Sequence, residues 1–75
     1  RAYPNPFSNQ FSLKITDGMK SVRIYDLSGK VVYENTAIDP RSSQLDISLG
    51  SRPAGIYQVL IDTDRGPRMV RVLKQ

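Results

Sequence analysis

The stretch Ile56-Tyr57-Gln58-Val59-Leu60-Ile61-Asp62-Thr63 carries the clearest structural signal in this sequence of 75 residues. Tyr57, Val59 and Ile61 recur at every second position, a spacing that places them on one face of a β-strand. The stretch is also rich in β-branched and aromatic side chains, which favour strands. We therefore expect a strand from residue 56 to residue 63 with one of its faces buried.

The same period of two recurs along the whole chain between turn residues. It predicts strands over residues 11–16, 22–25, 30–34, 45–49, 56–63 and 69–73, with a short first strand near Tyr3. Turns are predicted at 17–18, 26–29, 50–55 and 64–67, and a longer crossover loop at 35–43. About seven short strands predict an all-β fold, an Ig-like antiparallel β-sandwich that forms a single domain over residues 1–75.

The apolar positions of these strands predict the hydrophobic core. It comprises Phe11, Leu13, Ile15, Val22, Ile24, Val32, Leu45, Ile47, Tyr57, Val59, Ile61, Val70 and Val72. Burying about a dozen side chains barely offsets the ordering of so short a chain, so we expect a stable but not hyperstable domain.

Composition excludes several classes of function. The chain has no cysteine and no histidine, which removes the usual metal ligands and general base and argues against an enzyme or a cofactor site. The six aspartates are scattered and have no calcium-loop spacing. The net charge of +4 is mild, and no aromatic pair lies among basic residues as nucleic-acid binding would require. No apolar run approaches the ~20 residues of a membrane span.

The opening segment Tyr3-Pro4-Asn5-Pro6-Phe7 is stiff. Each proline fixes φ, removes a backbone donor and pushes the preceding residue toward extended geometry. The segment can therefore lie along a sheet edge without adding a full ladder. A rigid domain entrance, with Tyr3 and Phe7 packed on the end of the sandwich, is the plainer interpretation.

Two further segments stand out later in the chain. In Pro53-Ala54-Gly55-Ile56-Tyr57-Gln58-Val59, Gly55 allows a sharp bend, and the Tyr57 hydroxyl is placed to reach a backbone group. The closing strand carries Arg68, Arg71 and Lys74, and no acidic residue follows Asp64. This charge either protects an edge strand from aggregation or serves as a handle for strand addition and electrostatic capture.

The order of these segments, together with the residue 24–32 hairpin and the 45–49 strand, resembles the C-terminal sorting domain of cargo proteins of the bacterial type IX secretion system. The resemblance implies an Ig-like, non-catalytic signal at the end of secreted proteins of Bacteroidetes-type bacteria. It implies recognition by the outer-membrane translocon and its shuttle components, and removal by a sortase-like cysteine protease at the cell surface. The parent protein would be secreted or displayed on the cell surface, by way of the periplasm and the outer membrane.

The matching motif positions are the candidate signal residues. Pro4, Asn5 and Pro6 match the entry motif, Gly55, Tyr57 and Val59 the central motif, and Val70, Arg71, Val72 and Lys74 the terminal signal. Arg71 stands where a lysine is common, and Arg52 where an apolar residue is more usual. The family's cleavage point implies that Arg1 and Ala2 are remnants of a linker.

Other interpretations remain open from the sequence. An Ig-like accessory module could bind carbohydrate or a cell surface, with exposed Tyr25 and Tyr33 stacking on sugar rings. The domain could also be an inert spacer. In any of these roles the domain could dimerise weakly through an edge strand.

Overall fold

The chain folds into seven β-strands in a computed structural model that describes residues 2–3 and 5–75. The strands are β1 (Ala2–Tyr3), β2 (Gln10–Lys14), β3 (Met19–Tyr25), β4 (Val31–Asn35), β5 (Gln44–Ser48), β6 (Gly55–Thr63) and β7 (Gly66–Lys74). The described residues contain no helix. The all-β prediction is confirmed, and the strand bounds differ from the predicted ones by a few residues, most of all at the start of β3 and β7.

The strands form two antiparallel sheets. One sheet has the order β1-β2-β5 and the other the order β4-β3-β6-β7. The chain crosses between the sheets from β2 to β3, from β4 to β5 and from β5 to β6, which is the Greek-key course of an Ig-like sandwich. The β6·β7 hairpin pairs over nine residues, from Gly55 opposite Lys74 to Thr63 opposite Gly66.

The core lies between the two sheets. Its buried members are Ala2, Phe7, Phe11, Leu13, Val22, Ile24, Ile47, Leu49, Tyr57, Val59, Ile61 and Val72. Phe7 packs on Phe11 with ring centroids 4.8 Å apart and an interplanar angle of 55°, a tilted arrangement that aromatic pairs favour.

The predicted core is largely correct, but four of its members are not fully buried, and it did not include the buried Ala2, Phe7 and Leu49. Val32, Leu45 and Val70 are only partly buried and pack against the core from its margin. Ile15 lies just beyond the end of β2 and is half-buried, because the strand stops at Lys14.

Two hairpin turns set the ends of the larger sheet. Between β3 and β4, the Asp26 amide donates to the Lys30 carbonyl at 3.0 Å and Gly29 has a φ of +89°, which a three-residue hairpin loop requires at this position. Between β6 and β7 the loop is only Asp64-Arg65. The predicted turn at 64–67 is therefore shorter, and Pro67 lies within β7, where an edge strand tolerates proline.

Ala2 belongs to the folded sheet. It pairs with Leu13 of β2 and is 9% exposed. A strand partner and core contacts therefore hold Ala2 in the sheet, and its origin as a linker remnant stays a prediction. Arg1, the other predicted linker residue, lies outside the described residues.

Candidate functional site

The entry segment lies along the free edge of β7. The Phe7 amide donates to the Leu73 carbonyl at 2.9 Å, and the Gln75 amide donates to the Phe7 carbonyl at 2.8 Å. These bonds make an isolated parallel bridge between Phe7 and Lys74. We call the contact of residues 5–7 with residues 71–75 the clasp.

Asn5 extends the clasp with its side chain. Its Nδ2 donates to the Arg71 carbonyl at 3.2 Å, and its Oδ1 accepts from the Leu73 amide at 3.0 Å. A carboxamide has the donor and the acceptor of a peptide group, so Asn5 takes the place of a strand residue at this edge. The prediction that this segment follows a sheet edge without a full ladder is confirmed at Asn5–Phe7. Pro6 lies within the clasp, and Pro4 lies outside the described residues.

The central motif forms a tight corner at the start of β6. The Tyr57 hydroxyl donates to the Pro53 carbonyl at 2.5 Å, while the residue is only 4% exposed. Gly55 has a φ of +145°, a conformation that side chains rarely allow. Both geometric predictions for this motif are confirmed, and the arrangement is that of the tyrosine corner of Ig-like sandwiches.

The two ends of the chain and both central turns meet at one end of the sandwich. Gly55 pairs with Lys74 and Tyr25 pairs with Gln58, so β6 begins where β3 and β7 end. The Asp26–Ser28 turn and the Arg52–Tyr57 corner line one open depression of about 290 Å³ at this end. The clasp closes the same end of β7. Segments that are far apart in sequence therefore form one surface.

The pattern of these segments is that of a known family. The family model for the secretion system C-terminal sorting domain matches residues 1–75, the whole chain. The chain belongs to this family. No curated protein matches it closely enough to count as a relative.

The sorting domain carries a type IX secretion signal, and its parent protein is secreted or attached to the cell surface by way of the outer membrane. The family is in general non-catalytic. Among residues 2–3 and 5–75, no three carboxylates are grouped so that they could hold a metal ion. No helix among the described residues is long and apolar enough to cross a membrane.

The terminal motif of the sorting domain divides between two faces. Val72 is 1% exposed, Val70 packs against the core, and Lys74 is 7% exposed on that same inward side. Arg71 points outward with its neighbours Met69 and Leu73. Val59 of the central motif is fully buried. Three of the candidate signal residues, Tyr57, Val59 and Val72, are thus core side chains, and Val70 packs against the core from its margin.

The closing strand was expected to present the charges of Arg68, Arg71 and Lys74, but Lys74 is largely buried. Because strand side chains alternate, Lys74 shares its side of β7 with Val70 and Val72, and its aliphatic stem is covered there. Arg68 and Arg71 remain exposed. Arg68 shares the parity of Val70 and pairs with the buried Ile61, so it is exposed at the margin of the core face, and the outward charge of β7 comes from Arg71.

The hairpin turn beside the depression fixes the charge of its acid. Asp26 Oδ1 accepts from the Ser28 hydroxyl at 2.6 Å, from the Ser28 amide at 2.9 Å and from the Lys30 amide at 3.0 Å. The Ser28 hydroxyl first, and the Lys30 amide next, lower the pKa of Asp26 below its ordinary value. Asp26 therefore stays ionised, with one oxygen committed to its own turn.

Tyr25 and Tyr33 do not form a platform for sugar rings. Tyr33 is the cross-strand partner of the fully buried Ile24 and packs against the core, whereas Tyr25 follows Ile24 and lies on the opposite face. Neither tyrosine is fully exposed and the pleat places them on opposite faces, while carbohydrate binding itself stays an untested alternative.

Sequence reasoning missed the exposed apolar residues at this end of the domain. Leu27, Ile56 and Leu73 are 72%, 41% and 42% exposed. Ile56 and Leu73 occupy the outward positions of strands whose inward positions were predicted correctly, so the alternation itself could have identified them.

Proposed function

We propose that the folded domain is a non-catalytic signal that takes its parent protein through the type IX translocon, and that it is removed at the cell surface. The match of the family model over all 75 residues is the observation that carries this proposal. The translocon and its shuttle components would recognise the folded sandwich as a rigid body. A sortase-like cysteine protease would then separate the domain from its cargo.

Strand addition at the last strand, one expected mode of recognition, is restricted by the clasp. Residues 5–7 occupy the edge of β7 from Arg71 to Gln75, so another strand could pair there only after displacing them. Recognition through the outward side chains needs no such displacement. Arg71→Glu is accordingly a cleaner test of recognition than Lys74→Ala, which also disturbs a buried position.

Export of a reporter tests the proposed function. A periplasm-targeted fluorescent protein followed by residues 1–75 would be expressed in a host with type IX machinery and in a matched host without it. We expect the reporter outside the cell only when the machinery is present. Retention in the periplasm of both hosts, with the domain shown to be folded, would disprove the sorting function.

The pairing of the first strand supports a cut upstream of it. Ala2 and Tyr3 pair with Leu13 and Ser12, and proteases require an extended chain that is free of such pairing. Surface cleavage should therefore occur before Ala2. Mass spectrometry of the released domain checks this, and a domain that begins at Tyr3 or later would contradict it.

A weak dimer, if it forms, should use β4 rather than β7. The β7 edge carries Pro67 and Arg71 and is partly covered by the clasp, whereas β4 is an open edge with Glu34 as its one charged residue. Val31 of β4 is 46% exposed, so sedimentation of the purified domain and its Val31→Lys variant tests this choice of edge; a dimer that persists in the variant would contradict it.

A further inference from the structure

Three exposed apolar side chains form a continuous surface at the end where the motifs meet. The end patch consists of Leu27, Ile56 and Leu73. Ile56 and Leu73 are direct partners on neighbouring strands, and Leu27 lines the same depression as Ile56. Partners of this kind have Cβ atoms about 4.5–5.5 Å apart, so their side chains cover one area.

Two guanidinium groups flank the end patch. Arg71 precedes Leu73 by two residues on the outward side of β7, and Arg52 lines the depression. Within residues 2–3 and 5–75, neither arginine forms a salt bridge. The acid at this site, Asp26, is engaged by its own turn. The surface therefore offers apolar area and two available positive charges.

A protein partner suits this surface better than a lipid surface does. Leu27 and Ile56 line a depression between two hydrogen-bonded turns, which accepts a protruding side chain. Stable anchoring on a bilayer needs a second signal such as a polybasic cluster. Two arginines supply little of that attraction.

We propose that the end patch, with Arg52 and Arg71, is the surface by which the domain docks on a protein of the outer-membrane export machinery. The partner presents an aliphatic or aromatic side chain to the depression and carboxylates to the two guanidinium groups. This inference rests on the proposed sorting function and adds the location and chemistry of the contact.

The clasp gives Asn5 a positioning role in this contact. Its two hydrogen bonds hold the end of β7, and Leu73 lies between them and Ile56. The entry motif therefore supports the docking surface through the last strand.

Variants of the reporter fusion test the surface. Leu27→Ser with Ile56→Ser removes the apolar contact, and Met69→Ser is the control because Met69 is 52% exposed on β7 outside the end patch. Arg52→Glu with Arg71→Glu is compared with Arg41→Glu and Arg65→Glu, which make the same change of charge. We expect the patch variants to lower the initial export rate roughly tenfold or more, as expected when central contact residues are lost, and the controls to leave it unchanged. Circular dichroism melts of the purified domains establish that each variant is folded.

Site-specific crosslinking locates the contact directly. A photoreactive phenylalanine analogue placed at Leu27 should crosslink to an outer-membrane export protein in the intact fusion, and one placed at Met69 should not. Mass spectrometry of the crosslinked peptide should find acidic and apolar residues.

Each outcome decides between the two proposals. Export of the folded patch variants at the wild-type rate, or a crosslink at Met69 alone, overturns the docking surface and leaves the sorting function standing. Failure of the wild-type fusion to be exported overturns both. Binding of the purified domain to phosphatidylglycerol vesicles, lost in the Leu27→Ser and Ile56→Ser variant, would show a lipid surface as the occupant and overturn the protein partner.

Discussion

Replacing Asn5 by alanine should loosen the last strand of the domain. The change removes the donor to the Arg71 carbonyl and the acceptor for the Leu73 amide, at 3.2 and 3.0 Å. Each hydrogen bond contributes roughly 0.5–1.5 kcal/mol, and these two are exposed, so we expect a loss of about 1–2 kcal/mol in the free energy of unfolding.

That loss is large for so small a domain. A chain of 75 residues has a total stability of roughly 4–11 kcal/mol, and a domain of this size loses about 4–8 °C in Tm for each kcal/mol. Asn5→Ala should therefore lower Tm by roughly 4–16 °C. Urea unfolding followed by circular dichroism measures the same loss at constant temperature.

Hydrogen exchange separates a local effect from a global one. In the Asn5→Ala variant the Leu73 amide should exchange faster, while the Gly29 amide, bonded within its own turn, should change only with the global stability. Asn9→Ala is the control, because the Asn9 side chain is exposed and forms no hydrogen bond to the described residues. Equal urea midpoints for Asn5→Ala and Asn9→Ala would refute the reasoning.

Asn5→Asp tests the donor alone. At neutral pH the new carboxylate can still accept from the Leu73 amide but faces the Arg71 carbonyl without a proton to donate. This contact should raise the carboxyl pKa above its unfolded value of about 4. The variant should therefore gain stability relative to the wild type as the pH falls through that raised value, and an unchanging difference would contradict the assignment.

Three further perturbations test the corner and the hairpin turn. Tyr57→Phe removes the hydroxyl bond to the carbonyl four residues upstream and should cost about 1 kcal/mol in the free energy of unfolding. The Tyr25 hydroxyl has no described partner, so Tyr25→Phe should cost almost nothing. Equal urea midpoints for the two variants would contradict this. Gly55→Ala should cost about 1–3 kcal/mol from backbone strain alone, since no atom outside the neighbouring residues lies within 4 Å of the added methyl group. Gly50→Ala, at a φ of +52°, should cost less, and thermal melts rank the two variants. The lowered pKa of Asp26 adds stability that is present above the unfolded pKa of about 4 and is lost as the pH falls through the lower folded value. The stability advantage of the wild type over Asp26→Asn should therefore shrink below pH ~4, as urea unfolding at a series of acidic pH values would show.

The strands were predictable because one face of each is buried. Phe11 and Leu13, Val22 and Ile24, and Tyr57, Val59 and Ile61 keep the period of two, and all of them lie in the core. The tyrosine corner was predictable as well, because Pro53, Gly55 and Tyr57 act within five residues of one another.

The features that the sequence analysis did not predict correctly depend on long-range contacts or on which face of a strand a side chain occupies. Packing of Phe7 on the end of the sandwich was expected, but its contacts with Phe11 and the end of β7 were not, because its proline-flanked segment has no alternation that could show them. The bonds of Asn5 join residues 66 and 68 positions apart, which no local pattern encodes. Lys74 was expected to be exposed because of its charge, although it lies two residues after Val72 and therefore on the same inward face of β7.

The clasp also determines how the domain responds to mechanical load. Residues 5–7 and 73–75 run parallel, so a pull on the chain before Asn5, against a hold on the end of β7, acts along both strands. The two backbone bonds of Phe7 and the two side-chain bonds of Asn5 then bear the force together in shear and do not open one after another. Because forced unfolding is governed by the unfolding rate, this short contact can make the domain resist a cargo's drag far better than its modest equilibrium stability suggests.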